Sequence, residues 1–404
     1  QRNTTEPRQD MAMELEFQQA ILNQTEVALS VTKRLLSTEA KDANCVFCPL
    51  SIHIALSLLA SGSDGATLDQ LLTFLKSKST QKLASFSSQL FDLVLADGSA
   101  AGGPKLTSPS KLLAEQSCRL KASFQNVAEK YYRASTSQVD FIRKFEEARS
   151  QANSWVANET DGLIEELLPF GSVNRDTRLI ILNALYFKGE WSSGFEVSDT
   201  KEHDFHLLNG SSVRVPFMTS KKNRFLYESD DHKVLRLPYN HGDNERTFSM
   251  YIMLPHSKDG FPQFVEKMLG KPESLYHQMP THDVAVGEFR IPKLKMSFDF
   301  EASRLLKDMG LTAPFTVGEA DFSNMFDSPK TDLIVSGIFH ESFIEVNEEG
   351  TEAAGATALG ISKASLVIGD PIDFVADRPF LFMVKEDNSG LVLFVGQVMD
   401  PSKI

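Results

Sequence analysis

Apolar residues recur at helical spacing in the first part of the chain. From Met11 to Leu36 they predict one long amphipathic helix or two short ones. Pro49 suits the first turn of a further helix, whose apolar run is Ile52–Ala60, and Thr67–Leu75 predicts another helix. Residues 1–16 are mostly polar and are expected to form an N-terminal tail.

Beyond residue 178 the pattern changes to that of strands. Leu179–Phe187 is a nearly continuous apolar run, as expected for a strand covered on both faces. Two short helices are predicted at Gly260–Leu269 and Glu301–Gly310. Helices gathered early and strands gathered late predict an α+β fold. The other predicted strands are Val213–Met218, Lys233–Leu237, Phe248–Leu254, Val284–Ile291, Phe343–Val346, Phe380–Val384 and Leu391–Val398.

Composition narrows the class of protein. The chain has 404 residues, of which 42% are hydrophobic and 24% charged, as in ordinary folded proteins. Its 41 Lys and Arg against 54 Asp and Glu leave a net charge of -13, which argues against general binding to nucleic acid. No apolar run reaches the roughly 18 residues of a membrane span. We therefore expect neither nucleic acid nor a membrane as a partner.

The start of the chain and its cysteines are used to predict the compartment in which the protein resides. The first residues lack the order of charged, apolar and small residues that marks a signal peptide. An odd number of cysteines speaks against a disulfide framework. Both observations favour the cytoplasm, and the nucleus as a further compartment. An extracellular protein with a trimmed N-terminus stays open.

Candidate catalytic and metal-binding residues are few. Cys45 and Cys48 have the spacing of a redox or zinc half-site, but Cys118 is the only other cysteine. We interpret them as buried, unreactive thiols, with a redox role as the alternative. His203 and His206 lie in a strand-like context, which disfavours a zinc pair. No nucleophile elbow, phosphate loop or zinc-protease motif is present. We therefore expect no enzyme, metal or cofactor.

The most informative segment of the chain is 345–365. Between Gly350 and Gly360 its residues are small, apart from Glu352 and Leu359. Such a segment can be a flexible loop, but its two faces differ when it is read with a period of two. One face has no charge and the other carries the single acid, which predicts a strand with one buried face. The uncharged face is Thr351, Ala353, Gly355, Thr357, Leu359 and Ile361.

This segment and other motifs resemble the serpin family, and most closely its plant branch. The hinge sequence 348–354 and Phe374–Phe380 resemble plant serpins. Cys48 stands where the family usually has serine. The resemblance implies the serpin fold, with helices packed around three β-sheets and an exposed reactive-centre loop at about residues 348–372, in one domain spanning 17–404. Its other motifs, in order, are Asn44 with Pro49–Ile52, Asn153–Val156, Asn183–Trp191, Val215–Met218, Leu237–Tyr239, Pro292-Lys293 and Leu393–Val398.

The resemblance also implies a function. Serpins are single-use protease inhibitors whose loop is cleaved and then inserts into the main sheet, trapping the acyl-protease. It implies a monomer that forms a covalent one-to-one complex with a serine or cysteine protease. Thr351, Ala353, Gly355 and Ala356 are small and uncharged, which favours inhibition over the alternative, a non-inhibitory serpin acting as a carrier or chaperone. The hinge comprises Glu349, Gly350, Thr351, Glu352, Ala353, Ala354, Gly355 and Ala356.

Two peptide bonds in the loop are candidates for cleavage. Counting along the family pattern from Gly350 favours Ala364–Ser365, whereas counting back from Phe374 gives the alternative Lys363–Ala364. An alanine before the cleaved bond would suit a protease with a small apolar pocket. A lysine there would suit a trypsin-like protease or a cysteine protease that prefers basic residues.

Four residues are carried over from the family as the site that controls sheet opening. Ser51, Asn183 and His340 would form a buried polar cluster beneath the opening sheet. Trp191 would pack where the loop first enters the sheet. These roles come with the resemblance and are expectations for the structure.

Overall fold

The apolar stripe near the start of the chain forms a single helix, α1 (Glu6–Ser37). The computed structural model describes residues 6–328, 332–351 and 370–403. The prediction of one long helix is therefore confirmed, and the alternative of two short helices is wrong. The tail expected over residues 1–16 is corrected from Glu6 onward, because Glu, Gln, Met, Ala and Leu in this stretch favour helix even where the apolar stripe is weak.

Seven more helices follow in the described residues. Pro49 occupies the first turn of α2, and every residue of this helix except Ser61 is buried, so α2 runs through the interior. Among all the described residues, no helix is both long and apolar enough to cross a bilayer. The helices are α2 (Pro49–Gly62), α3 (Gly65–Phe74), α4 (Thr80–Leu93), α5 (Ala122–Tyr132), α6 (Phe141–Glu159), α7 (Phe261–Met268) and α8 (Ser303–Asp308).

Eighteen described strands form three sheets, which with the helices confirms the predicted α+β class. The strands are β1 (Cys45–Phe47), β2 (Lys105–Thr107), β3 (Ser110–Glu115), β4 (Ala134–Val139), β5 (Leu179–Glu190), β6 (Lys201–His206), β7 (Ser212–Thr219), β8 (Arg224–Glu228), β9 (His232–Pro238), β10 (Phe248–Pro255), β11 (Asp283–Val284), β12 (Val286–Pro292), β13 (Leu294–Glu301), β14 (Val335–Val346), β15 (Gly350–Thr351), β16 (Ile372–Val375), β17 (Phe380–Glu386) and β18 (Val392–Val398).

The three sheets differ in how they are covered. The buried sheet has the order β1-β18-β17-β10-β9-β8-β11, and every residue of β10, β17 and β18 is buried. The four-stranded sheet has the order β16-β12-β7-β6. The main sheet has the order β13-β14-β15-β5-β3-β4, with β2 pairing the end of β5. A hydrophobic core extends from α1 and α2 into strands of all three sheets.

The main sheet is closed at one end and wedged apart at the other. Its central strands β5 and β14 pair in parallel from Leu179 and Val335 as far as Leu185 and Ser342. Beyond these residues the short strand β15 lies between them and pairs antiparallel with both. The point where the sheet begins to separate is therefore occupied by the start of the predicted loop.

Candidate functional site

Gly350 and Thr351 form the seat of the loop between β5 and β14. Thr351 faces Gly189 on one side and Val346 on the other. The strands approach Gly350 so closely that a Cβ atom there would lie 2.1 Å from the carbonyl oxygen of Gly189. Only glycine fits this position without displacing backbone, so the hinge sequence is matched to a narrow gap.

The side chain of Thr351 points into the protein. It is 2% exposed, and its hydroxyl lies 2.6 Å from the hydroxyl of Tyr239. Glu349 is exposed although a continuous strand would place it on the same face as Thr351, so strand geometry starts only at β15. The predicted uncharged face of the segment begins on a buried residue.

Trp191 lies where β15 enters the sheet. Its backbone N–H donates to the carbonyl oxygen of Glu349 at 2.8 Å, and its indole N–H donates to that of Asn347 at 2.9 Å. Its ring stacks on Tyr239 with centroids 4.6 Å apart. Trp191 therefore holds the loop start through two hydrogen bonds and also covers the tyrosine that Thr351 contacts.

The buried carboxylate of Glu348 anchors the chain shortly before Gly350 and Thr351. Glu348 is 5% exposed, and its Oε2 lies 2.9 Å from Nζ of Lys293, while its Oε1 accepts from the Thr200 hydroxyl at 2.7 Å. Burial raises the pKa of this carboxyl, but the hydrogen bonds from Lys293 and Thr200 outweigh it, so the pKa lies below its ordinary value. Sequence reasoning noted Pro292-Lys293 only as a family motif and missed this ion pair.

The structure brings Ser51, Asn183 and His340 together, as expected from the resemblance. The Asn183 amide donates to the carbonyl oxygen of Ser51 at 3.0 Å. Asn183 Oδ1 lies 3.0 Å from Nδ1 of His340. Because Asn183 lies on β5 and His340 on β14, this contact joins the two strands directly below the seat of β15. We call these three residues the closing cluster.

Two further residues, Cys48 and Ser342, contact the closing cluster, and the sequence did not predict these contacts. The hydroxyl of Ser342 lies 2.8 Å from Nε2 of His340, and the backbone N–H of Cys48 donates to the same nitrogen at 3.3 Å. The Cys48 sulfur accepts from both the N–H and the hydroxyl of Ser51 at 3.4 and 3.2 Å. Burial raises the pKa of Cys48 to about 11. Its thiol is thus a structural acceptor and a poor nucleophile.

The hydrogen-bond partners determine which nitrogen of His340 carries the proton. A backbone N–H can only donate, so Nε2 of His340 is an acceptor and its proton lies on Nδ1. Nδ1–H then donates to the oxygen of the Asn183 amide. Burial lowers the pKa of His340 to about 3, so the ring is neutral at physiological pH.

We expect acid to destabilise the native chain through His340. A histidine with a pKa of 6.5 when unfolded and about 3 when folded adds stability above pH 6.5, and this contribution is lost as the pH falls towards 3. At about pH 4.5 the loss is about 3 kcal/mol. The urea concentration at the midpoint of unfolding is measured at about pH 7.5 and at about pH 4.5. Between the higher and the lower pH it should fall more in the wild type than in His340→Asn. An exposed control, His277→Asn, should behave as the wild type, and equal falls in all three would contradict the prediction.

Other groups of polar residues within the described ranges do not have the geometry of a catalytic triad or a metal site. Ser229 and Asp231 both contact Nδ1 of His232, at 2.9 and 2.8 Å, whereas a triad places serine and carboxylate on opposite ring nitrogens. His203 and His206 are three apart on β6 and so point to opposite faces. Among the described residues, no three metal-ligating side chains meet.

The bait region of the loop lies outside the described residues. This applies to both candidate cleavage sites, formed by Lys363, Ala364 and Ser365, and to the hinge residues after Thr351. Those hinge residues are Glu352, Ala353, Ala354, Gly355 and Ala356. Their assignments stay predictions.

Comparisons with known proteins agree with this architecture. Residues 22–401 match the family model described as serpin (serine protease inhibitor). The chain is 49% identical to Serpin-ZXA of Oryza sativa subsp. japonica, over 96% of this chain and 99% of the relative. It is 47% identical to Serpin-ZX of Arabidopsis thaliana, over 96% and 100%.

Solved structures extend the likeness to the fold. The structure of AtSerpin1 from Arabidopsis in its native stressed conformation superposes with a TM-score of 0.88 at 46% identity, covering 96% of this chain and 99% of that one. Serpin48 of the insect Tenebrio molitor gives a TM-score of 0.82 at 28% identity, with 96% and 98% covered. The two relatives named above are plant serpins, and the chain belongs to the serpin family.

Proposed function

We propose that this chain inhibits a serine or cysteine protease irreversibly, as a suicide substrate. The protease hydroxyl or thiol attacks the carbonyl carbon of Ala364, or of Lys363 in the alternative. The C–N bond breaks, the new amine takes the proton, and the protease is left as an ester or thioester of the loop. The freed loop then inserts between β5 and β14 before water reaches the acyl bond. The inhibitor supplies a peptide bond and the protease supplies the nucleophile.

The observation that carries this proposal is β15. Thr351 already pairs with both central strands of the main sheet, and Gly350 pairs with β5. Thr351 is buried there, while the sheet below is joined directly by the closing cluster. Insertion would extend this existing pairing one residue at a time, with new ladder hydrogen bonds rewarding each step.

The pairing of β15 also predicts the register of the inserted strand. Thr351 faces Gly189, so six residues further along the loop Thr357 would face Asn183 on β5. The same count along β14 leads to His340. An inserted strand would therefore separate the closing cluster and place Thr357 in it. A crystal structure of the loop-cleaved chain checks this, and another residue beside Asn183 would contradict the register.

The direct test is complex formation. We expect an SDS-resistant band at the summed mass of the chain and the protease with at least one serine or cysteine protease that cleaves after alanine or lysine. Mass spectrometry of the released C-terminal peptide distinguishes Ala364–Ser365 from Lys363–Ala364. Cleavage by every protease tried, without a complex and without a rise in thermal stability, would instead favour a non-inhibitory carrier or chaperone.

A further inference from the structure

A cavity of about 390 Å³ lies between α1, α4 and the connector that precedes α4. It shares no residue with the site described above. Buried apolar side chains line it, among them Phe17, Leu75, Leu83 and Phe86. The rings of Phe17 and Phe86 are 5.7 Å apart and tilted by 52°. Its size lies within the range of small-molecule sites, about 300–1,000 Å³.

A histidine without hydrogen-bond partners belongs to the lining. His53, on the interior helix α2, is 4% exposed and meets the edge of Phe86 at 5.7 Å. Among the described residues neither of its ring nitrogens has a partner, although leaving buried polar atoms unpaired is costly. Burial lowers the pKa of His53 to about 4, so the neutral ring offers one donor and one acceptor. A bound polar group would satisfy this ring.

The exposed part of the lining is positively charged. Lys76, Lys78 and Lys82 belong to it, against the single carboxylate of Glu16. Lys82 pairs with Glu16 at 2.5 Å and Lys76 pairs with Glu26. Lys78 is exposed and has no ion pair within the described residues.

The walls of the cavity are held in place by side-chain contacts. The Asn23 amide donates to the carbonyl oxygen of Lys76 at 3.1 Å, which ties the connector to α1. Ser79 caps α4 by accepting from the backbone N–H of Lys82 at 3.2 Å. The lysines are therefore presented from backbone that is fixed to the apolar wall, in a chain whose net charge is -13.

From this arrangement we propose that the cavity binds a small aromatic hydroxy acid. The ring of the ligand would lie against Phe17 and Phe86, its hydroxyl would pair with His53, and its carboxylate would face Lys78. A hydroxyl can donate to the unprotonated nitrogen of a neutral imidazole or accept from its N–H, so it can pair with whichever His53 nitrogen faces the cavity. Lys78, the lysine of this lining without an ion pair in the described residues, supplies the charge that the carboxylate needs.

Calorimetry on the full native chain tests the proposal with three probes. 4-Hydroxycinnamate should bind about tenfold more tightly than cinnamate, which lacks the hydroxyl, and than methyl 4-hydroxycinnamate, which lacks the carboxylate. No binding of 4-hydroxycinnamate at about 1 mM would overturn the proposal. Equal affinity for all three probes would also overturn it, because the cavity would then be only an apolar cleft.

Variants assign the two polar contacts separately. His53→Leu keeps the volume of the side chain, and it should remove the preference for 4-hydroxycinnamate over cinnamate while leaving cinnamate binding unchanged. Lys78→Glu should weaken both acids about fivefold or more, whereas Lys222→Glu, an exposed lysine outside the cavity, should not. An unchanged preference in His53→Leu, with thermal unfolding like that of the wild type, would overturn the role of His53. Protease-complex formation is measured in parallel and is independent of this result.

Discussion

Replacing Thr351 with arginine is expected to convert the chain from an inhibitor of its target protease into a substrate. Thr351 is 2% exposed and contacts the Tyr239 hydroxyl at 2.6 Å. An arginine there has to bury an unpaired charge or pull β15 out of the sheet, and either outcome costs several kcal/mol. Each 1.4 kcal/mol added to the insertion barrier slows insertion about tenfold, so hydrolysis of the acyl bond overtakes it. Densitometry should show complex yield falling about tenfold while cleaved chain accumulates.

The same substitution at a neighbouring residue is the matched control. Glu349 is exposed, so Glu349→Arg places the same charge in the hinge without burying it. It should keep most of the wild-type complex yield. Thr351→Ser, which retains the hydroxyl, should also inhibit. Equal loss of complex in the two arginine variants would show that burial of the substituted residue does not matter. That result would contradict the argument.

Removing the ammonium of Lys293 is expected to loosen the start of the loop. Glu348 would remain 5% exposed without its cation, keeping only the hydrogen bond from Thr200. Losing one partner of a buried ion pair costs about 3–5 kcal/mol, and the partial exposure of Lys293 places Lys293→Met near about 2 kcal/mol. Calorimetry should show the thermal midpoint falling by about 3 °C.

Two further variants separate this ion pair from a general effect of lysine. Lys295 on β13 pairs with Glu345 on β14 at 3.5 Å, but this pair is more exposed, so Lys295→Met should change the midpoint little. The double variant Lys293→Met with Glu348→Gln removes both charges and should recover part of the loss. If Lys295→Met lowers the midpoint as much, the anchoring role of Glu348 is wrong.

Strongly patterned elements could be predicted from the sequence, and polar ones could not. β5 and β10 were predicted because apolar residues run through them nearly unbroken. β6 is not predicted because its sequence KEHDFH is polar at every position except Phe205 and its strand lies at the edge of the four-stranded sheet. β14 was predicted too short, since Ser336, Gly337 and His340 interrupt its apolar pattern.

In the candidate site, too, some features could be predicted from the sequence and others could not. A period of two along 351–361 predicts that Thr351 faces inward, because strand geometry relates neighbours along one chain. The contacts of Cys48 and Ser342 with His340 join different elements, and no local pattern encodes such a distance. Glu348 looks like an ordinary loop acid in the sequence. Its burial depends on Lys293 and Thr200, which are brought to it only by folding.

The position of the proton on His340 limits what may replace the contact it makes with Asn183. Once a strand lies between them, Nδ1–H of His340 requires an acceptor and Oδ1 of Asn183 requires a donor. A hydroxyl provides both at one atom, so serine or threonine suits the residue that arrives there, whereas valine of the same shape leaves two buried groups unpaired. Under the proposed insertion, the hydroxyl of Thr357 would supply both the acceptor that His340 requires and the donor that Asn183 requires.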